Sequence, residues 1–141
     1  MIAAFFDIDG TFYRNALITE MFKKMVTHEL VDVQRWTDEV QPYFMAWDRR
    51  EGDYDEYLNR MIEIFKEVTV GLSCEHIKLI AAKVIEQKGE RVNAYARNKM
   101  LWHQREGHKV IAISGSPDAL VDEICRHYQF DDWRGTIYHT D

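Results

Sequence analysis

The chain has 141 residues, with 24 acidic and 18 basic side chains and a net charge of −6. That length holds one domain, or one domain with a small insert, and folding would bury roughly two thirds of the unfolded surface. An apolar share of 46% and an aromatic share of 13% fit a packed globular protein and exclude a disordered one, while the acidic balance argues against nucleic acid as a partner, which needs a basic surface.

In chain order, Ile2 to Phe6 reads as a buried strand: short, apolar throughout, and ended by polar residues. Ala16 to His28 places Leu17, Ile18, Met21, Phe22, Met25 and Val26 on one helical face. Val31 to Trp47 is aromatic-rich and broken by Pro42, and Glu51 to Asp53 turns at Gly52. Tyr54 to Lys66 is helical, with Tyr57, Leu58, Met61, Ile62 and Phe65 at helical spacing. Ser73 is an N-cap with Glu75 in the first turn, and the helix it starts runs to Gly89. Asn93 to Glu106 is a helix that feeds a second strand, Lys109 to Ile113, followed by Ser114-Gly115-Ser116-Pro117. A helix from Asp118 to Tyr128 turns Leu120, Val121, Ile124 and Cys125 inward, and Arg134 to His139 is a candidate third strand.

Short, nearly continuous apolar strands predict a parallel sheet covered on both faces. One crossover helix would join them, so the additional helices predict a small bundle inserted into an α/β domain. Cys74 and Cys125 are isolated, without CxxC, and read as reduced thiols in a cytoplasmic protein. No apolar run reaches membrane-spanning length, so no membrane is expected as a partner. The opening run lacks a preceding basic segment and ends in two aspartates, unlike a signal peptide.

The chemistry concentrates in Asp7-Ile8-Asp9-Gly10-Thr11. Strand alternation predicts that Asp7 and Asp9 share a direction while Ile8 packs inward. Adjacent carboxylates repel, and a divalent cation relieves that repulsion, since hard oxygen ligands suit Mg²⁺. One carboxylate can then attack phosphorus while the other handles protons.

Asp-Ile-Asp-Gly-Thr after one strand, with Ser-Gly-Ser after a later one, resembles the haloacid dehalogenase-like (HAD) superfamily. More narrowly it is similar to the phosphatase branch related to phosphoserine phosphatase (subfamily IB). The resemblance implies a Rossmann-like parallel-sheet core from residues 1–14 and 92–141, incomplete at its C-terminal end, with a helical cap at 15–91. It implies a phosphomonoester hydrolase acting on a small phosphorylated metabolite through an aspartyl-phosphate, with Mg²⁺. Asp7 would be the nucleophile and a metal ligand. Asp9 would be the acid and base, and its main-chain carbonyl a second ligand. Gly10, Thr11, Ser114 and Gly115 would shape and line the phosphate site. An acid at Asp9 argues for a phosphatase or phosphotransferase over a dehalogenase or an ion pump.

The family also uses a lysine and a later acidic pair. After Ser114 the cations are Arg126 and Arg134, with no lysine. Asp131-Asp132 lacks a preceding glycine and reads as a helix-to-strand turn. The expectation is a C-terminally truncated phosphatase with little activity alone; the alternative is a catalytically silent regulatory or interaction domain. The first strand would then be an apolar edge, open to homodimerisation or strand exchange. The phosphoserine-binding positions fall on Ala16 and Met61, beside Arg60, which makes phosphoserine a poor substrate. Arg14, at the cap entrance, is a candidate for a substrate anion. Tyr43, Phe44, Trp47, Tyr54 and Tyr57 read as bundle core; the alternative is a substrate pocket, even one for a choline-like cation. The six histidines show no zinc spacing and read as structural or exposed.

Overall fold

A computed structural model of the chain describes residues 1–138. β1 (Ala3–Asp7), β2 (Lys109–Pro117) and β3 (Asp132–Thr136) form a parallel sheet in the order β1-β2-β3. Between β1 and β2 run α1 (Leu17–Thr27), α2 (Val33–Arg35), a π turn (Trp36–Val40), α3 (Gln41–Asp48), α4 (Tyr54–Val70), α5 (Cys74–Lys88) and α6 (Ala94–Arg105). α7 (Asp118–His127) joins β2 to β3. This is an α/β, Rossmann-like arrangement with the extra helices inserted after the first strand. No helix among the described residues is long and apolar enough to cross a membrane.

Local chemistry explains the helix limits. Asp53, Ser73 and Asn93 each accept a backbone N–H of the first turn, at 3.1, 3.2 and 3.0 Å, so α4, α5 and α6 start where their caps stand. Pro42 lies in the first turn of α3, where its missing N–H costs nothing. The expected break at this proline is a change of helical winding: the π turn ends as α3 begins. Arg50, at φ 62°, turns the chain between α3 and α4.

β1 and β2 pair in register, with Phe5 opposite Ile111 and Asp7 opposite Ile113. β2 continues past Ile113, its expected end, through Ser114-Gly115-Ser116, and its register with β3 shifts between Ile113 and Pro117. Val110, Ala112, Ser114 and Ser116 are buried along β2, while Ile113 and Gly115 are exposed. The helices lie on the buried side. The Phe6 ring meets His103 of α6 at 6.2 Å, and Trp133 Nε1 donates to Asp122 of α7 at 3.1 Å.

The opposite face differs from expectation. Phe5 is 65% and Ile113 56% exposed, so the described residues cover one face of the sheet and leave the other open. β1 is also an edge of this sheet. The apolar run of β1 could not reveal this, because it looks the same whether one face or two are covered.

Asp131, read as part of a turn, bridges β3 to β2. Its carboxylate accepts the Val110 N–H at 2.7 Å, and its own N–H donates to Val110 O at 2.8 Å. His139, the last residue of the expected third strand, lies outside the described residues.

Candidate active site

The loop after β1 is held from below and from the side. Ile8, Phe12 and Tyr13 are fully buried. Thr11 N and Tyr13 N donate to Ile8 O at 3.2 and 2.8 Å, and Phe12 N donates to Asp7 O at 3.2 Å. Gly10 supplies the left-handed residue this tight turn requires, at φ 73°. From the side, Arg14 N donates to Arg91 O and Asn93 N to Phe12 O, at 2.9 and 2.8 Å. Three buried apolar anchors and these bonds fix where the two aspartates stand.

The two acids have different partners. The strand ends at Asp7, and the turn takes Asp9 toward β2. Asp9 Oδ2 accepts the Ser114 hydroxyl at 2.7 Å, and Ser116 Oγ lies 2.9 and 2.8 Å from Oδ1 and Oδ2. Oδ1 also accepts the Leu17 N–H at 2.8 Å. Leu17 is the first residue of α1, whose N-cap Ala16 has no side-chain acceptor, so Asp9 caps that helix from a distance. Asp7 is exposed, and one of its oxygens accepts the Thr11 hydroxyl at 3.1 Å. Neutral hydrogen-bond donors thus help to stabilise the Asp9 charge.

Both aspartates line one cavity of about 910 Å³ at the C-terminal ends of β1 and β2. That is where open α/β sheets bind ligands. Gly10, Arg14, Gly115 and Ser116 also line it. Gly10 N–H is turned to Asn15 O at 3.4 Å, and Gly115 O accepts the Thr136 hydroxyl at 2.7 Å. Ser114, expected at a phosphate, gives its hydroxyl to Asp9 and accepts the Ser116 N–H at 3.0 Å. Across the cavity stand Trp36, Phe44, Trp47, Tyr54 and Tyr57. Burial and then the Asp9 charge push the Tyr54 phenol upward, and burial also raises Tyr57, so both remain neutral O–H groups at working pH.

The family model described as haloacid dehalogenase-like hydrolase matches residues 4–140. The chain belongs to this family. No curated protein matches the sequence. Among solved structures it is similar to a protein of unknown function from Bordetella pertussis Tohama I (12% identity, TM-score 0.71, 96% of this chain and 60% of that one). It is also similar to a phosphoserine phosphatase in apo form (16%, 0.52, 99% and 56%). A third is a HAD family hydrolase from Salmonella enterica serovar Typhi (16%, 0.51, 95% and 39%). These likenesses carry the fold, and the chain spans 56–60% of the first two.

Members of the HAD family generally use Mg²⁺, and the donors here fit it in kind. Mg²⁺ takes one or two carboxylates and keeps waters and substrate phosphate oxygens as its other ligands. Asp7 is such a carboxylate, open to the cavity. No group of three or more His, Cys, Asp or Glu side chains able to hold a metal stands among the described residues.

Several cavity residues escaped the sequence reading, among them Asn15, Thr19, Trp36, Ser116 and Lys23. Ser116 was visible only as half of Ser-Gly-Ser; the sign was its two-residue spacing from Ser114, which puts both on one face once the segment is a strand. Lys23 lines the cavity from α1, 3.9 Å from Glu20, and nothing in an amphipathic pattern marks one solvent-side lysine. Of the phosphoserine-binding positions, Ala16 lines the cavity and Met61 is buried. Arg60 lies over the Tyr43 ring at 4.8 Å.

Ser116→Ala removes a buried hydroxyl from a carboxylate and is expected to lower stability by about 1–3 kcal/mol. A urea melt checks this, and an unchanged midpoint would mean the hydroxyl contributes nothing to holding Asp9.

Proposed function

We propose that this member of the family hydrolyses small phosphate esters through a phosphoaspartyl intermediate on Asp7. The observation that carries the reading is the unequal state of the two acids. Asp7 opens to the cavity with one hydrogen bond, while Asp9 is held by three donors beside it.

An Asp7 oxygen bonds to phosphorus as the P–O bond to the alcohol breaks, and protonated Asp9 gives its proton to the departing oxygen. Water then attacks the phosphorus, its proton passes to Asp9, and Asp7 is released with inorganic phosphate. The serine hydroxyls around Asp9 suit both stages, because a hydroxyl donates to the carboxylate and rotates to accept from the acid. The Gly115 N–H is the phosphate donor of this scheme, Ser114 holds Asp9 rather than the phosphate it was expected to meet, and Gly10 and Thr11 shape the loop beneath. Arg14 faces a substrate anion. Asp7 and the Asp9 main-chain carbonyl would hold Mg²⁺, which supplies charge neutralisation at the phosphoryl oxygens. In this reading residues 15–91 act as the cap over a core built from 1–14 and 92–141.

Turnover by this chain is expected to be slow. Of the cations that line the cavity, Arg14 meets a substrate anion in this scheme and Lys23 stands 3.9 Å from Glu20. Arg126 and Arg134 are drawn to Asp122 and Asp132, at 3.1 and 2.7 Å, and do not line it. A cation about 4 Å from the reacting charges is worth roughly 4 kcal/mol at an effective dielectric near 20, or about a thousandfold in rate. We therefore expect weak, Mg²⁺-dependent release of p-nitrophenol from p-nitrophenyl phosphate, abolished in Asp7→Asn. Equal rates with and without Asp7 would refute the nucleophile. No turnover at all would favour a catalytically silent domain that keeps the fold.

We also propose that a second copy of the chain pairs through the edge and bare face at β1, which carry the exposed Phe5. Sedimentation should show a dimer that Phe5→Lys converts to monomer. A monomeric parent at high concentration would contradict this.

A further inference from the structure

The far wall of the cavity has more aromatic surface than packing alone explains. Phe44, Tyr54 and Tyr57 pack around Trp47 at centroid distances of 5.1–6.1 Å, so the wall is continuous. Yet Trp47 remains 38% exposed. A large ring left open in a cavity, while its neighbours are packed, is a surface waiting for a partner.

The polar groups at this wall are neutral: the Tyr54 and Tyr57 hydroxyls and Thr19, which hydrogen-bonds Tyr57. Among the described residues, the acids lining the cavity are Asp7 and Asp9, both at the phosphate end. Asp55 and Glu20, whose charges reach Tyr54 and Tyr57, do not line the cavity, so a substrate ammonium would find no lining carboxylate at the ring end apart from Asp9 beside Tyr54. Arg14 and Lys23 line the same cavity and add repulsion against a quaternary ammonium, although aromatic faces alone would attract one. Ile18, Leu58 and Ile62 complete the apolar side. The volume lies at the upper end of small-molecule sites, far beyond what a phosphorylated amino acid fills.

We propose that the cavity selects phosphate monoesters whose alcohol part is a flat, uncharged aromatic or heteroaromatic ring, stacked against Trp47 and Tyr54 with the phosphate at Asp7. The phosphate end of this assignment rests on the hydrolase reading; the ring end rests on the cavity wall itself.

The test uses three alkyl esters of similar leaving-group chemistry: 2-naphthylmethyl phosphate, O-phosphoserine and phosphocholine. It adds 2-naphthylmethylphosphonate, which is not hydrolysed, titrated against tryptophan fluorescence. Stacking of this kind changes affinity by roughly tenfold or more, so kcat/KM for the naphthyl ester should exceed the other two by at least about that factor. The phosphonate should bind, Trp47→Ala should weaken it by about tenfold, and Trp47→Phe, which keeps a ring, should restore most of the loss. Phosphonate binding that depends on Trp47, without turnover of any ester, would uphold the pocket assignment and sink the hydrolase reading. Turnover of phosphoserine or phosphocholine as good as that of the naphthyl ester would sink the pocket assignment and leave the hydrolase reading intact. Failure of the phosphonate to bind the wild-type chain would also overturn the assignment.

Discussion

One carboxylate organises this molecule. Asp9 receives hydroxyls from Ser114 and Ser116 of β2 and the N–H of Leu17 at the head of α1. Those bonds join the loop after β1 to the end of a strand about a hundred residues later and to the first inserted helix. They also serve three needs at once: α1 gains an N-terminal acceptor that Ala16 cannot supply, the two buried serines find an acceptor, and a half-buried charge is compensated. Because Asp9 is satisfied in this way, Asp7 can remain open beside it without a second carboxylate competing for the same space.

The cavity follows from that arrangement. Its floor is the loop pinned by Ile8, Phe12 and Tyr13, and its far wall is the ring cluster of the π turn, α3 and α4. The Asp9–Leu17 bond sets where α1 begins, and α1 packs against α4, so the floor and the wall are coupled through one helix. The sheet beneath has the opposite character. Parallel sheets are ordinarily covered on both faces, whereas Phe5 and Ile113 here meet no covering helix among the described residues.

Much of this was legible because it is local. The cap at Ser73 marks the start of α5 directly, and the inward face of α7 follows from its spacing. Asp-Ile-Asp-Gly-Thr after one apolar strand, together with Ser-Gly-Ser after a later one, named the family because the pair is specific at this separation. What stayed hidden depends on distant partners. The extension of β2 through Ser-Gly-Ser requires β3 alongside it, since Pro117 pairs with Thr136. The bonds from Ser114 and Ser116 to Asp9 require the turn at Gly10 to bring Asp9 to β2. The ring cluster has the spacing of a bundle core, and Tyr57 is indeed buried, but Trp47 and Tyr54 face a cavity that exists only once α1, α3 and α4 converge over the loop.

The division of labour between the two acids is the central claim, and paired denaturation of Asp9→Asn and Asp7→Asn measures it. Replacing a carboxylate that holds several donors should cost about 1–3 kcal/mol at Asp9. At Asp7 the same change removes an exposed, repelled charge and should leave stability unchanged or raised, as at sites kept for function rather than folding. Equal losses at the two positions, or a greater loss at Asp7, would contradict the account.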